Sequence, residues 1–175
     1  MRFRDRPIAI TDIETTGLDA TVHEVIELAI LVIDQNSLRI LDRYHAKIKP
    51  RHIRTGAKKA LEVVGYSEQA WRTAVPLEVA LLAYAAKAKE AVFCSYNVYL
   101  AYSFLDAGFK LTGVEDPTDY HRLDLFTLAW SRLGLVSPTL DSICKRLSIV
   151  PEPFPRRAMD GALKQLEVFK ALLYR

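Results

Sequence analysis

A chain of 175 residues, half of them hydrophobic, is long enough to bury the core of one domain without disulfide or metal staples. Its formal net charge of +3 permits contact with a phosphate backbone but does not by itself indicate one. The two cysteines, Cys94 and Cys144, are too few for a disulfide framework and predict reduced core thiols in a cytoplasmic protein. We expect no secretory signal in the polar stretch 1–7, and no membrane span, since no apolar run approaches the ~18–20 residues that a span requires.

The first part of the chain predicts three strands. Residues 7–13 and 24–33 are apolar runs, and residues 38–48 alternate between apolar and polar side chains. The turn-forming residues 34–37 predict that the second and third strands make an antiparallel hairpin. Pro50 ends the third strand because proline cannot donate to a sheet.

Beyond residue 56, helical patterns dominate. Helices are predicted at 57–64, 76–90, 98–110, 123–133, 140–147 and 158–173. A fourth strand at 91–95 lies between two of them, so we expect it to run parallel to the first. Neither a repeat nor a linker interrupts the chain. Residues 1–175 are therefore predicted to form one α/β domain, a mixed sheet flanked by helices.

Two carboxylates, Asp12 and Glu14, stand at the end of the first predicted strand. They are two positions apart, so their side chains point to the same face of the sheet. Carboxylates that converge on one spot repel each other unless a cation lies between them. The alternative, an edge strand with solvated acids, does not explain their place at the end of a buried strand, where sheet enzymes carry their chemistry.

A turn of Thr15, Thr16, Gly17 and Leu18 follows the two acids. We expect Gly17 to adopt a positive φ, which would let the backbone approach a ligand closely. The neighbouring N–H groups could then bind a phosphate or a nucleotide terminus. The turn is therefore a candidate nucleic-acid contact.

The segment 12–19, together with 24–29, resembles the first motif of the DnaQ-like (DEDD) 3′–5′ exonucleases and the strand after it. Other pieces of the chain resemble later parts of that family in the same order: 65–67, 92–97, 123–129, 140–147 and 157–163. The resemblance implies the ribonuclease H-like/DnaQ-like fold, with a mixed five-stranded sheet flanked by helices. It also implies that the partner is the 3′ end of a single-stranded nucleic acid, with Tyr96, Asn97 and Arg157 as further candidate contacts.

The family's catalytic set is incomplete in this chain. The resemblance implies two divalent ions, Mg²⁺ or Mn²⁺, held by four carboxylates, of which Asp12 and Glu14 match the first two. The second motif, aligned on Asn97, places Ala101 where the family has an aspartate.

The third motif has lost its base and its acid. Arg156 stands where the family has a histidine general base, and Gly161 stands where it has the last carboxylate. Arginine cannot act as a base near neutral pH, because its pKa stays above about 12. Asp160 is one residue early and ~100° around the helix from the required direction.

The sequence therefore predicts a catalytically impaired exonuclease-like domain that binds nucleic-acid ends or a partner protein. One alternative is an active exonuclease with weak or single-ion binding of Mg²⁺ or Mn²⁺, using Asp12, Glu14 and an unconventional ligand such as Asp160. Another is an interaction scaffold without nucleic-acid binding.

Two questions about basic residues stay open at this point. Arg156 or Arg157 could neutralise Asp12 and Glu14 in place of a metal, or both could be solvated, with Arg156 paired to Asp160. The densest basic stretch is either a solvated loop or a phosphate-binding patch; it comprises Lys49, Arg51, His52, Arg54, Lys58 and Lys59.

Overall fold

One five-stranded sheet forms the centre of the fold. In the computed structural model, which describes residues 2–135 and 139–173, the strands are β1 (Ile8–Thr15), β2 (Val25–Ile33), β3 (Ile40–Lys47), β4 (Val92–Ser95) and β5 (Arg122–Asp124). Their order in the sheet is β3-β2-β1-β4-β5. β1 and β3 pair antiparallel with β2, whereas β1 pairs parallel with β4, and β4 parallel with β5. The predicted mixed five-stranded sheet is confirmed.

Helices cover both faces of this sheet. Those of the described residues are α1 (Lys58–Val64), α2 (Leu77–Lys87), α3 (Val98–Thr112), α4 (Leu125–Leu133), α5 (Leu140–Leu147) and α6 (Ala158–Leu173). Helices α2 and α3 pack on one face, over alternate strand residues such as Ala9, Leu28 and Ile30. α6 packs on the other face, over Ile8 and Ile10. None of the described helices is long and apolar enough to span a membrane.

The alternation of β1 decides which way its acids point. Ile8 and Ile10 pack on the α6 side of the sheet, and Asp12 and Glu14 continue the same parity. Helix α6 can approach this side closely because its buried face begins with the small residues Ala158, Gly161 and Ala162. The acids at the end of β1 therefore lie under the first turns of α6.

The last strand differs from the sequence-based expectation. Residues 123–133 were expected to be helical throughout, but Arg122–Asp124 pairs with β4 and the helix begins only at Leu125. The strand is three residues long, too short to show an alternating pattern. Asp124 marks the boundary physically, because its side chain accepts a hydrogen bond from Thr127 N and caps α4.

Candidate active site

Asp12 and Glu14 line a cavity of about 420 Å³ between the end of β1, the start of α3 and the segment that precedes α6. Other polar and charged side chains in its wall are those of Ser95, Tyr96, Asn97, Thr139, Asp141, Glu152 and Arg156. The cavity lies beyond the carboxyl end of the parallel strands β1 and β4, where open α/β sheets bind ligands. The structure thus brings together residues that are about 140 positions apart in the sequence.

Three carboxyl groups of this cavity have raised pKa values, because burial and mutual repulsion disfavour their charged forms. Burial raises the pKa of Asp12 well above its usual range, and the neighbouring Glu14 and Glu152 raise it further. Burial, with Glu152 and Glu27 nearby, raises the pKa of Glu14 to about 7. Burial also raises the pKa of Glu152. Such upward shifts in one cleft are typical of functional sites.

Gln165 fixes the position of Asp12. Its Nε2 donates to Asp12 Oδ1 over 2.6 Å, and its Oε1 accepts from Tyr96 N over 2.9 Å. The fully buried amide therefore ties α6 to the ends of both β1 and β4. The sequence contains a signal for this contact, since Gln165 is four residues after Gly161 and shares its face of the helix.

The turn after β1 serves partly as internal structure. Thr16 is buried, and its Oγ1 accepts from Glu24 N over 2.9 Å. The expectation of a positive φ at Gly17 is wrong, because Gly65, Gly113 and Gly134 are the described glycines with positive φ. A Cβ at 17 would overlap the His23 ring where that ring lies in this structure, so a larger residue there requires the ring to move. Leu18 is 79% exposed beside it.

At the second motif, Ala101 is buried in the cavity wall, where its methyl group has no ligand atom to offer. Asn97 caps α3, since its side chain accepts a hydrogen bond from Leu100 N over 3.1 Å. Tyr96 packs edge-on against Phe126, with ring centroids 6.3 Å apart. Tyr96 and Asn97 both reach the cavity, while each also has a structural role.

At the third motif, Gly161 lies directly against Asp12, because a Cβ on Gly161 would overlap Asp12 Oδ2. That Cβ would also stand 3.3 Å from Glu152 Oε1. Asp160, one residue earlier, lines a different cavity together with Lys164 and Glu167. The rotation of ~100° per helical residue separates the two positions, and the structure does not bring Asp160 together with Asp12 and Glu14.

The two arginines before α6 diverge. Arg156 lines the cavity, and its guanidinium lies 3.6 Å from Glu152 Oε2 and 3.4 Å from Asp141 Oδ2. These are its ion-pair partners in place of the Asp160 considered from the sequence. Arg157 turns away from the cavity, donates to Val64 O over 2.6 Å and approaches Glu27 Oε2 at 3.6 Å.

Glu152 and Asp141 are the site residues that sequence reasoning missed. Glu152 lies between two prolines, a setting typical of an irregular loop, and Asp141 sits in the first turn of α5. No motif spacing connects either residue to Asp12. Their place in the cavity depends on tertiary packing of the segment before α6, which carries no local pattern.

The residues present do not fit a two-ion set. Among residues 2–135 and 139–173, no group of three histidine, cysteine, aspartate or glutamate side chains is arranged to hold a metal ion. Ala101 and Gly161 supply no ligand. Asp12 Oδ1 accepts a hydrogen bond from Gln165, and the Arg156 guanidinium is also part of the cavity wall. The arrangement is an acidic pocket with one partly exposed cation, Arg156, in its wall.

Comparisons with known proteins match this chain to an exonuclease family and to part of PolC-type DNA polymerases. A family model described as an exonuclease, RNase_T, matches residues 9–169. The PolC-type DNA polymerase III of Thermotoga maritima is 31% identical over 168 residues, which are 95% of this chain and 12% of that protein. The counterpart in Listeria monocytogenes is 22% identical over 161 residues. The chain thus spans about an eighth of the length of these relatives.

Solved structures share the fold. The nuclease domain of 3′hExo, a DEDDh family member bound to rAMP, superimposes with a TM-score of 0.78 at 16% identity, over 96% of this chain and 92% of that one. E. coli exonuclease I in complex with a dT13 oligonucleotide gives 0.77 at 17% identity, over 94% of this chain and 40% of that one. At such identities the likeness concerns the fold alone.

Proposed function

The chain belongs to the DnaQ-like (DEDD) exonuclease family, and from that premise we propose that it is a catalytically impaired exonuclease domain that binds ends of single-stranded nucleic acid or a partner protein. The observation that carries the proposal is the composition of the cavity wall that faces Asp12 and Glu14. Ala101 and Gly161 lie beside the two acids and offer no side-chain ligand atom for a metal. Arg156 occupies the position of the general base, but its guanidinium cannot accept a proton near neutral pH. Exonucleases of this family generally use divalent metals, so these replacements act on the catalytic step itself.

A cavity of this kind can still bind a nucleotide after the catalytic groups have been lost. A cavity of about 420 Å³ is within the ~300–1,000 Å³ typical of ligand sites. The raised pKa values of Asp12 and Glu14 mean that the acids hold protons at a higher pH than usual. A protonated carboxyl donates a hydrogen bond and carries no charge, which reduces the repulsion that a nucleotide's phosphate would meet.

A second candidate is an active 3′–5′ exonuclease that works with a single Mg²⁺ or Mn²⁺ ion. The position of Glu152 favours it, because its carboxylate occupies space next to Gly161 and Asp12. In this hypothesis Glu152, and not Asp160, supplies the further acid. Since the three acids are not arranged to hold an ion in this structure, their side chains would have to shift as the ion and a substrate phosphate bind.

The experiment separates binding from hydrolysis. Labelled single-stranded DNA and RNA are incubated with Mg²⁺ or Mn²⁺ and the protein or its Asp12→Asn variant, and Mn²⁺ binding is titrated by electron paramagnetic resonance. We expect no products beyond those of Asp12→Asn and no Mn²⁺ binding that this variant removes. Fluorescence anisotropy should show stronger binding to linear than to circular strands, because the pocket accepts an end.

The contrary outcomes are equally specific. Metal-dependent degradation that is lost in both Asp12→Asn and Glu152→Gln would establish the second candidate. The absence of binding to either nucleic acid would leave the protein partner as the sole ligand class. DNA is the first substrate to test, since the relatives at about 30% identity are DNA polymerases.

A further inference from the structure

A segment of high positive charge runs from the loop after β3 into the first turn of α1. Its members, named here the basic loop, are Lys49, Arg51, His52, Arg54, Lys58 and Lys59. All six side chains are exposed, and residues 49–60 contain no acid. Among the described residues, the one ion pair that involves them joins Lys58 to Glu62 at 3.9 Å, on the exposed surface. Five permanent cations in this loop exceed the +3 of the whole chain, so the remainder of the molecule is net acidic.

The basic loop is attached to the turn that borders the candidate cavity. Ala57 N donates to Thr16 O over 2.7 Å, and Thr55 Oγ1 donates to Val22 O over 3.2 Å. The Glu24 carboxylate accepts from Arg51 N and His52 N, over 2.9 and 2.7 Å. These bonds hold the backbone of the loop while leaving its cationic side chains free. They also join the basic loop to the turn 15–18 and the segment after it, and this turn follows Glu14 directly in the chain.

The cavity itself cannot supply the attraction that a phosphate backbone needs. Four acids line it, Asp12, Glu14, Asp141 and Glu152, against the single cation Arg156. Affinity for nucleic acid comes mostly from cations placed at the backbone phosphates. In this molecule the densest stretch of exposed cations is bonded through Ala57 to Thr16, two residues after the cavity residue Glu14.

We propose that the basic loop binds the phosphodiester backbone of a single-stranded nucleic acid whose end lies in the candidate cavity. The inference rests on the proposed function, because it assumes that the strand's end enters the cavity. It adds the residues that hold the rest of the strand. It also commits to a polyanionic strand as the partner of this surface.

The test compares two triple variants that remove equal charge. One is Arg51→Ala, Arg54→Ala, Lys59→Ala in the basic loop. The control is Arg4→Ala, Arg39→Ala, Arg43→Ala, three exposed arginines whose side chains have no ion pair among the described residues. Arg4 and Arg39 lie at the other end of β1, near its start and near the β2–β3 turn. Affinity for a ~20-nucleotide strand of DNA or RNA, and for a trinucleotide, is measured by anisotropy from about 50 to about 200 mM salt.

The loop variant should lose at least about tenfold in affinity for the long strand at low salt. Its slope of log affinity against log salt should fall by about 2, since each lost contact contributes about 0.7 for single strands. The trinucleotide, which reaches only the cavity, should bind nearly unchanged. The same loss on the trinucleotide would point to a damaged cavity and would overturn the inference.

Other outcomes separate the two proposals. If the unaltered protein binds the long strand and both triple variants weaken it equally, the basic loop is not the binding surface, while the proposed function stands. If the unaltered protein binds neither DNA nor RNA, the proposed nucleic-acid function is wrong, and the inference about the basic loop is wrong as well. A loss on DNA but not on RNA, or the reverse, would support the loop and identify its strand.

Discussion

Glu14 and Glu27 lie directly opposite each other on β1 and β2, yet the protein treats their charges differently. Glu27 has no exposed surface, and two nitrogen groups lie beside its carboxylate: His45 Nε2 at 2.6 Å and the Arg157 guanidinium Nη1 at 3.6 Å. Glu14 has no base within ion-pair distance among the described residues, and its pKa rises to about 7. Glu27 therefore has ion-pair partners within the fold, although its Oε2 accepts no hydrogen bond among the described residues, whereas Glu14 has no such partner.

The contrast distinguishes a structural acid from a functional one. A buried charge that serves the fold is paired within the protein, because an unpaired one would cost several kcal/mol. A charge that serves a ligand must be free to receive it. The hypothesis that Arg156 or Arg157 pairs directly with Asp12 and Glu14 therefore finds no ion pair to support it. Both arginines lower the pKa of Glu14, but from a distance.

The largest effect is expected where the structural pair is broken. Arg157→Ala leaves Glu27 buried with only His45, and it removes the donor to Val64 O. We expect the free energy of unfolding to fall by about 3 kcal/mol, measured by urea denaturation. Arg39→Ala is the control, because this arginine is exposed and has no ion pair among the described residues, and its removal should cost no more than about 0.5 kcal/mol. Equal losses in the two variants would remove the contrast between the neighbouring carboxylates.

An effect of comparable size should appear in the pH dependence of stability. The folded-state pKa of Glu14 is about 7 and its ordinary value is 4.5. Between these two pH values the folded protein keeps a proton on Glu14 that the unfolded chain has lost. The contribution of Glu14 to the free energy of unfolding therefore falls as pH rises and is lowest above pH 7. Stability should therefore decline as pH rises from 4.5 to 7, by up to about 3 kcal/mol from this group at ~1.4 kcal/mol per pH unit.

Glu14→Gln should flatten that decline, although Asp12, whose pKa is also raised, will leave part of it. The exposed Glu62→Gln change serves as the matched control. Unfolding free energies from denaturant titrations between about pH 4.5 and pH 7 test the difference. An unchanged slope in Glu14→Gln would mean that Glu14 is compensated as fully as Glu27.

Sequence alone predicts the retained half of the site better than the altered half. Asp12 and Glu14 are recognisable because strand periodicity places both on one face and the turn after them is distinctive. The antiparallel hairpin of β2 and β3 and the parallel direction of β1 and β4 follow from the same local patterns, and the structure confirms both. The short strand β5 was missed, since three residues carry no period.

The residues that surround the acids are set by long-range packing. Glu152 reaches Asp12 only because its loop folds back over α6, and the pairing of Arg157 with Glu27 joins two positions 130 residues apart. Gly17 illustrates the same limit. Its glycine was expected from backbone conformation, whereas the structure places the His23 ring against it. Tertiary contacts of this kind leave no periodic signal in the sequence.

Asn97 is the polar residue for which the structural and functional roles remain to be separated, and its change should have the smallest effect. Its side chain caps α3 and also faces the candidate cavity. Asn97→Ala should cost about 1 kcal/mol in unfolding free energy, whereas Asn97→Ser, which keeps a capping oxygen, should cost a few tenths. Denaturant titration measures both.

The anisotropy assay then assigns the role of the amide. If Asn97 acts only as a cap, the serine variant should bind a single strand as well as the unaltered protein does, because α3 and Ala101 stay in place. If the amide itself contacts the nucleotide, the serine variant should keep its stability and still lose affinity. That second result would place Asn97 with Glu14, among the polar groups that the fold leaves available for a ligand.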